Sequence, residues 1–295
     1  MGCQGAAGYS QADAGLPLHC RPQVPEQGGL PPQLPASRPV PLAHVELGGR
    51  GDRLPLVLLH GLFGSHGNLQ TVAKALPLPR QVLTPDARNH GDSPHSPLMN
   101  YEAMSLDVQH LLTRLGISKC IVLGHSMGGK TAMTLALQRP DLVERLISVD
   151  ISPVSTASLS EFSAYISAMK LVKIPDGLSR SAARQLADDQ LRPVLPQLRQ
   201  FFLTNLVEVE GRYLWRMNLE AISHHLADIM DFPVFHKPYP GPALFLGGSN
   251  SKDYPEIHRL FPKADVQYIE GAGHIVHQDK FEEFITAVHN FLPPP

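Results

Sequence analysis

From about Leu42 onward, short apolar runs rich in leucine and β-branched residues alternate with stretches of helical period. The runs are Leu56 to Leu59, Val82 to Thr84, Cys120 to Leu123, Leu146 to Val149, Ala243 to Leu246 and Val266 to Ile269. Little apolar/polar alternation interrupts them, which is what strands buried on both faces of a parallel sheet require. Between them lie helix signals. The clearest has Asn100 as its cap, Met104, Val108, Leu111, Leu112 and Leu115 on one face, and Gly116 as its stop. The pattern predicts an α/β class protein with a doubly wound, mostly parallel sheet.

One stretch breaks the alternation. Residues 153–236 carry helical patterns, such as Phe162, Tyr165, Ile166 and Met169 and then Leu186 to Leu206, without a buried-strand run of the sheet type. They read as a mainly helical cap inserted into a core formed by residues 42–152 and 237–295. Within the cap, Leu206 to Trp215 alternates about Glu210-Gly211 and suits a small hairpin. Residues 1–41 have no hydrophobic period, and eight of the chain's 28 prolines fall in its first 50 residues. They are expected to form a disordered tail.

Composition narrows the function. The formal charge is −2 and no block of Lys and Arg occurs, so the chain lacks the basic stripe that nucleic acid demands. No apolar run approaches the roughly 20 residues that span a bilayer, so no integral membrane segment is expected. Cys3, Cys20 and Cys120 are scattered and odd in number, giving neither a disulfide framework nor a zinc pattern. Met1-Gly2-Cys3 has Ala6 where an acylation signal wants Ser or Thr. Arg21 and Arg38 are the only arginines before Arg50, a weak start for a mitochondrial presequence.

The chemistry centres on Gly124-His125-Ser126-Met127-Gly128-Gly129, which follows one buried strand directly and opens a helical run from Thr131 to Gln138. This is the context of a nucleophile elbow, where glycines admit a strained strand-to-helix turn that exposes a serine Oγ. His60-Gly61-Leu62-Phe63-Gly64-Ser65 ends the strand Leu56 to Leu59, so the Leu62 and Met127 amides are candidate oxyanion donors. Among 15 histidines, His274 stands out because it follows the last strand in Gly271-Ala272-Gly273-His274.

The acid partner is less direct. After Ala243 to Leu246, where an aspartate is usual, the chain has Asn250, which cannot stabilise an imidazolium as a carboxylate does. Asp150, at the end of the strand Leu146 to Val149, is the favoured candidate, with Asp253, Glu220 and Asp228 as alternatives. His274 to Asp279 also fits an H-x-x-x-x-D spacing that would suit acyl transfer to an alcohol, although a cap on the terminal helix is the stronger reading of Asp279.

These motifs, together with Asp86-Ala87-Arg88-Asn89-His90-Gly91-Asp92-Ser93 and Val149-Asp150-Ile151-Ser152-Pro153-Val154, resemble the α/β-hydrolase superfamily and its YbfF-type esterase group over about residues 42 to 292. The resemblance implies a serine esterase or lipase needing no cofactor and no metal, with Asp150 as the acid and a lipid, diacylglycerol-like ester as substrate. It further implies a mitochondrial location, against a cytoplasmic one, and association with the 2-oxoglutarate dehydrogenase complex. Acyl transfer by the same residues and a non-catalytic binding role are the rival expectations.

Overall fold

The computed structural model describes residues 38–76, 80–156 and 158–294. The chain begins with β1 (His44–Leu47), β2 (Leu56–Leu59), a 3-10 turn at His66–Leu69, α1 (Gln70–Ala75) and β3 (Val82–Pro85). It continues through α2 (Tyr101–Arg114), β4 (Cys120–His125), α3 (Met127–Gln138) and β5 (Val143–Val149). An excursion follows, made of α4 (Leu159–Lys170), α5 (Arg180–Gln190), α6 (Pro196–Leu203), β6 (Leu206–Val209), β7 (Arg212–Trp215), α7 (Leu219–His224) and α8 (Leu226–Met230). The chain returns as β8 (Ala243–Gly247), α9 (Pro255–Leu260), β9 (Ala264–Tyr268), α10 (Val276–Asp279) and α11 (Phe281–Phe291). Seven strands form one sheet in the order β1-β3-β2-β4-β5-β8-β9, parallel except for β1, which pairs antiparallel with β3.

The unbroken apolar runs have a simple origin. Leu56 and Leu58 of β2 join a cluster with Val72 of α1 and Phe284 of α11, whereas Val57 and Leu59 join another with Val108 of α2 and Met133 of α3. Successive strand residues face opposite sides, and helices cover both sides, so every position is buried. β1 escapes this logic and is not among the expected strands. It lies at the sheet edge with three of its four residues only half-buried, and so carries no apolar run.

Local signals place the helices well. The Asn100 side chain accepts the Ala103 amide at 2.8 Å, capping α2, and Gly116 ends it at φ 65°. α3 starts at Met127, four residues before the expected Thr131, because the elbow leads directly into it. In the excursion the expected helix from Leu186 to Leu206 is split, with Pro193 between α5 and α6 and Pro196 opening α6. The β6–β7 turn falls on Glu210 and Gly211, at φ 51° and 80°, the pair of positive values that a two-residue type I′ turn needs. Ile166, Met169, Phe202 and Ile222 of the excursion pack with Phe63, Tyr101 and Met127, joining it to the core.

The expected tail boundary at residue 41 is corrected. Val40 is fully buried and its amide donates to Asp107 Oδ1 at 2.8 Å, so the chain is already docked there. Residues 1–37, which hold the rest of the expected tail, lie outside the described residues.

Asp107 also receives Arg88 Nε and Nη2, each at 2.7 Å, and both side chains are only 1% exposed. Removing one partner of a buried pair strands the other charge, at a cost of about 3–5 kcal/mol. Arg88→Met is therefore expected to lose that much in urea unfolding, with much of it recovered in the double variant that also carries Asp107→Leu. A loss below about 1 kcal/mol for the single variant would mean that the pair does not hold this loop.

Candidate active site

β4 gives way to α3 at a single residue. Ser126 occupies that turn at φ 55° and ψ −118°, a conformation that a non-glycine residue holds only when its surroundings force it. The forcing contacts are visible. A Cβ on Gly124 would lie 2.1 Å from the Gly128 carbonyl oxygen, and one on Gly128 would lie 2.3 Å from that of Leu59. Glycines let strand and helix approach this closely, and Ser126 is left at the carboxyl edge of the sheet.

Sheet register brings the partners to the same edge. His125 pairs with Val149 and Val149 with Leu246, so Ser126, Asp150 and the Gly247-Gly248 turn emerge side by side. His274 Nε2 lies 3.1 Å from Ser126 Oγ, and its Nδ1 lies 2.6 Å from Asp150 Oδ2. Because a carboxylate only accepts, Nδ1 carries the proton and Nε2 is free to accept from the serine. The loop bearing His274 is tethered twice. The Gly273 amide donates to Asp279 Oδ2 at 2.8 Å, and His125 Nε2–H donates to the His274 carbonyl at 2.9 Å. Asp279 thus fastens this loop instead of capping the terminal helix, since α11 opens with no side-chain cap.

The second Asp150 oxygen, Oδ1, accepts both from Gly248 N at 2.9 Å and from Ser251 Oγ. Burial alone would raise its pKa, but hydrogen bonds from His274, Ser251 and Gly248 outweigh it and hold the carboxyl below its ordinary value. The loop after β8, where an aspartate is usual and Asn250 stands, supplies two donors to Asp150. The alternatives are engaged elsewhere. Asp253 pairs with His258 at 2.9 Å, Glu220 with Lys170 at 2.9 Å and Asp228 with His225 at 3.1 Å.

Two of the amides that follow β2 already have acceptors. Phe63 N–H donates to His90 Nε2 and Gly64 N–H to the Gly61 carbonyl, each at 3.0 Å. Among the described residues, the Leu62 amide has no acceptor. Met127 lies in the first turn of α3, where no backbone partner exists. Both residues line the cavity that contains Ser126 and His274.

That cavity has a volume of about 460 Å³, and its walls include Leu62, Phe63, Phe162, Phe201, Ile229 and Met230. Phe63 meets Phe202 edge-on at 5.4 Å and Phe162 at 6.1 Å, so the excursion roofs the site with aromatic contacts. His125, His277 and Lys130, which are not among the residues expected at the site, also line it. Nothing in their spacing marks them, because only the closed tertiary structure turns them inward.

His60 and His90 have structural roles. His60 Nε2 accepts the Ala87 amide while Nδ1–H donates to the Gly61 carbonyl, and His90 likewise bridges Phe63 N–H and the Arg88 carbonyl. Burial lowers the His90 pKa to about 3 and that of His277 to about 4, and it also lowers His60 and His125. Between about pH 6.5, where unfolded histidine titrates, and these lower values, the unfolded chain binds more protons. Stability is therefore expected to fall as pH drops below 6.5, by about 1.4 kcal/mol per pH unit for each of His90 and His277. Urea midpoints at pH 7.5 and 5.5 check this, and equal midpoints would contradict it.

Residues 55–281 match the alpha/beta hydrolase fold family. The chain belongs to that family. It is 56% identical over 265 residues to the sn-1-specific diacylglycerol lipase ABHD11 of Danio rerio, covering 87% of this chain and 84% of that one. It is 34% identical to the esterase YbfF of Escherichia coli (strain K12), covering 81% and 92%. A solved marine microorganism esterase superposes with a TM-score of 0.78 at 35% identity, covering 86% of this chain and all of the other. Among the described residues, no helix is long and apolar enough to cross a membrane.

Proposed function

We propose that this chain, a carboxylic ester hydrolase of the α/β-hydrolase family, cleaves lipid esters through an acyl-enzyme on Ser126. The carrying observation is the series Asp150, His274, Ser126, with spacings of 2.6 and 3.1 Å, opening on an apolar cavity. His274 takes the serine proton as Oγ attacks the ester carbonyl, and the Asp150 carboxylate stabilises the imidazolium so formed. The Leu62 and Met127 amides meet the oxyanion, each worth about 3–4 kcal/mol in the transition state. His274 then protonates the leaving alkoxide. Water enters and gives a proton to the same nitrogen as its oxygen attacks the acyl carbonyl; the bond to Ser126 Oγ then breaks, Oγ takes that proton back, and the acid leaves.

A diacylglycerol-like substrate is supported by the name of the 56% identical relative and by the apolar walls. The test is incubation with a diacylglycerol in mixed micelles, with and without an added alcohol, and mass spectrometry of the products. Free fatty acid in both supports hydrolysis, a new ester with the alcohol favours acyl transfer, and an unaltered diacylglycerol would remove this substrate class. A mitochondrial location belongs to the same proposal through the sequence resemblance alone, and cell fractionation tests it.

A further inference from the structure

Lys130 is a buried ammonium for which this mechanism has no use. It lies one turn beyond Ser126 on α3, and its own amide donates to the Ser126 carbonyl at 3.1 Å. The side chain is only 1% exposed. Its three protons are all placed: Nζ donates to Thr156 Oγ1 at 3.0 Å, to the Met230 carbonyl at 3.0 Å and to the Asp231 carbonyl at 3.1 Å.

These acceptors come from two special points of the chain. Thr156 lies where the excursion leaves the core after β5, and Met230 and Asp231 lie where it turns back after α8. The two crossings are also joined to each other, the Thr156 amide donating to the Met230 carbonyl at 2.7 Å and Ser155 Oγ to Asp231 Oδ1 at 2.5 Å. Desolvating an ammonium is costly and a packed apolar residue would avoid that cost, so filling space does not explain a lysine here. Burial draws its pKa down to about 8, against the Asp231 charge that holds it up. What a lysine supplies, and a methionine cannot, is three donors radiating from one point.

We propose that Lys130 is a positioning residue, the clasp of the cap hinge, and that by fixing the Thr156 and Met230 wall of the cavity it sets which acyl chains are held beside Ser126. All three residues line that cavity. The proposal rests on the ester hydrolase reading. Without the clasp, both crossings lose their common anchor to the nucleophile helix and the wall is free to shift. A long acyl chain, which needs the wall, is affected more than an acetyl group, which does not reach it.

The experiment compares the full chain with Lys130→Met and Thr156→Val on p-nitrophenyl decanoate and acetate, together with hydrogen exchange of residues 150–156 and 226–236. Lys130→Met is expected to lower the decanoate-to-acetate ratio of kcat/KM about tenfold, as loss of a hydrogen bond to a charged group does, mainly through KM for decanoate. Exchange should quicken in both crossings. Thr156→Val, which removes one acceptor, should shift the ratio the same way by less. It decides the matter if Lys130→Met does not fold. An unchanged ratio in both variants, or an equal loss of kcat on both esters, would overturn the assignment. If wild-type protein turned over neither ester, the ester reading would fail, and unaltered exchange in Lys130→Met would then overturn the hinge role by itself.

Discussion

Replacing Ser126 with alanine is expected to abolish labelling by a fluorophosphonate probe and to lower ester hydrolysis on the order of 10⁶-fold. Two nucleophilic side chains near it are not free to take over. Cys120 is buried on β4 with its thiol pushed up to about 12, and Thr156 Oγ1 is engaged by Lys130. Residual catalysis is expected from binding and from the proposed oxyanion donors, the Leu62 and Met127 amides, which the substitution leaves in place. The fold should survive, because alanine meets the same backbone strain at φ 55° as serine and adds no atom to the turn. Melting temperature therefore serves as the control. Labelling at the wild-type level in a folded Ser126→Ala protein would take the nucleophile's role from this residue.

Legibility in the sequence follows how local each signal is. The Leu56 and Cys120 strands are readable because burial on both faces leaves an apolar run, while β1 is not, since an edge strand with half-buried residues leaves none. Gly124 and Gly128 mark the elbow because their reason for being glycine is a clash within ten residues of chain or with the adjacent strand. The hairpin turn at Glu210-Gly211 is local in the same sense. The cap helices are visible, but their inward faces are not. Phe162, Phe201 and Met230 become cavity walls only through the packing of α4, α6 and α8 over Phe63.

Long-range polar contacts were the least legible. Lys130 reads as an ordinary residue of a helix start, and its three acceptors lie 26 to 101 positions away. The supports of Asp150 are similarly remote, with Gly248 and Ser251 lying 98 and 101 residues on. Such a loop has a faint signature, small donors with no carboxylate where one is usual. Once Asp150 is recognised at the end of β5, that signature reads as a site built to receive an anion.

Asp150→Asn is expected to lower kcat by about 10⁴-fold with little change in KM, the mark of an interaction made only in the transition state. The amide is nearly isosteric, and its oxygen can still accept from Gly248 and Ser251. Its NH₂ group would then face His274 Nδ1 and donate to it. The ring would be held with its proton on Nε2, the nitrogen that must be bare to accept from Ser126 Oγ. Even when the proton does move, no carboxylate remains to stabilise the imidazolium. Asp253→Asn, Glu220→Gln and Asp228→Asn should each cost less than about tenfold, since each removes only a pair whose carboxylate is exposed, worth about 0–1 kcal/mol. The measurement is steady-state kinetics on one short ester for all four variants, with melting temperatures alongside. Were one of the other three to show the large loss and Asp150→Asn a small one, the acid would have to reach His274 in a conformation other than this one.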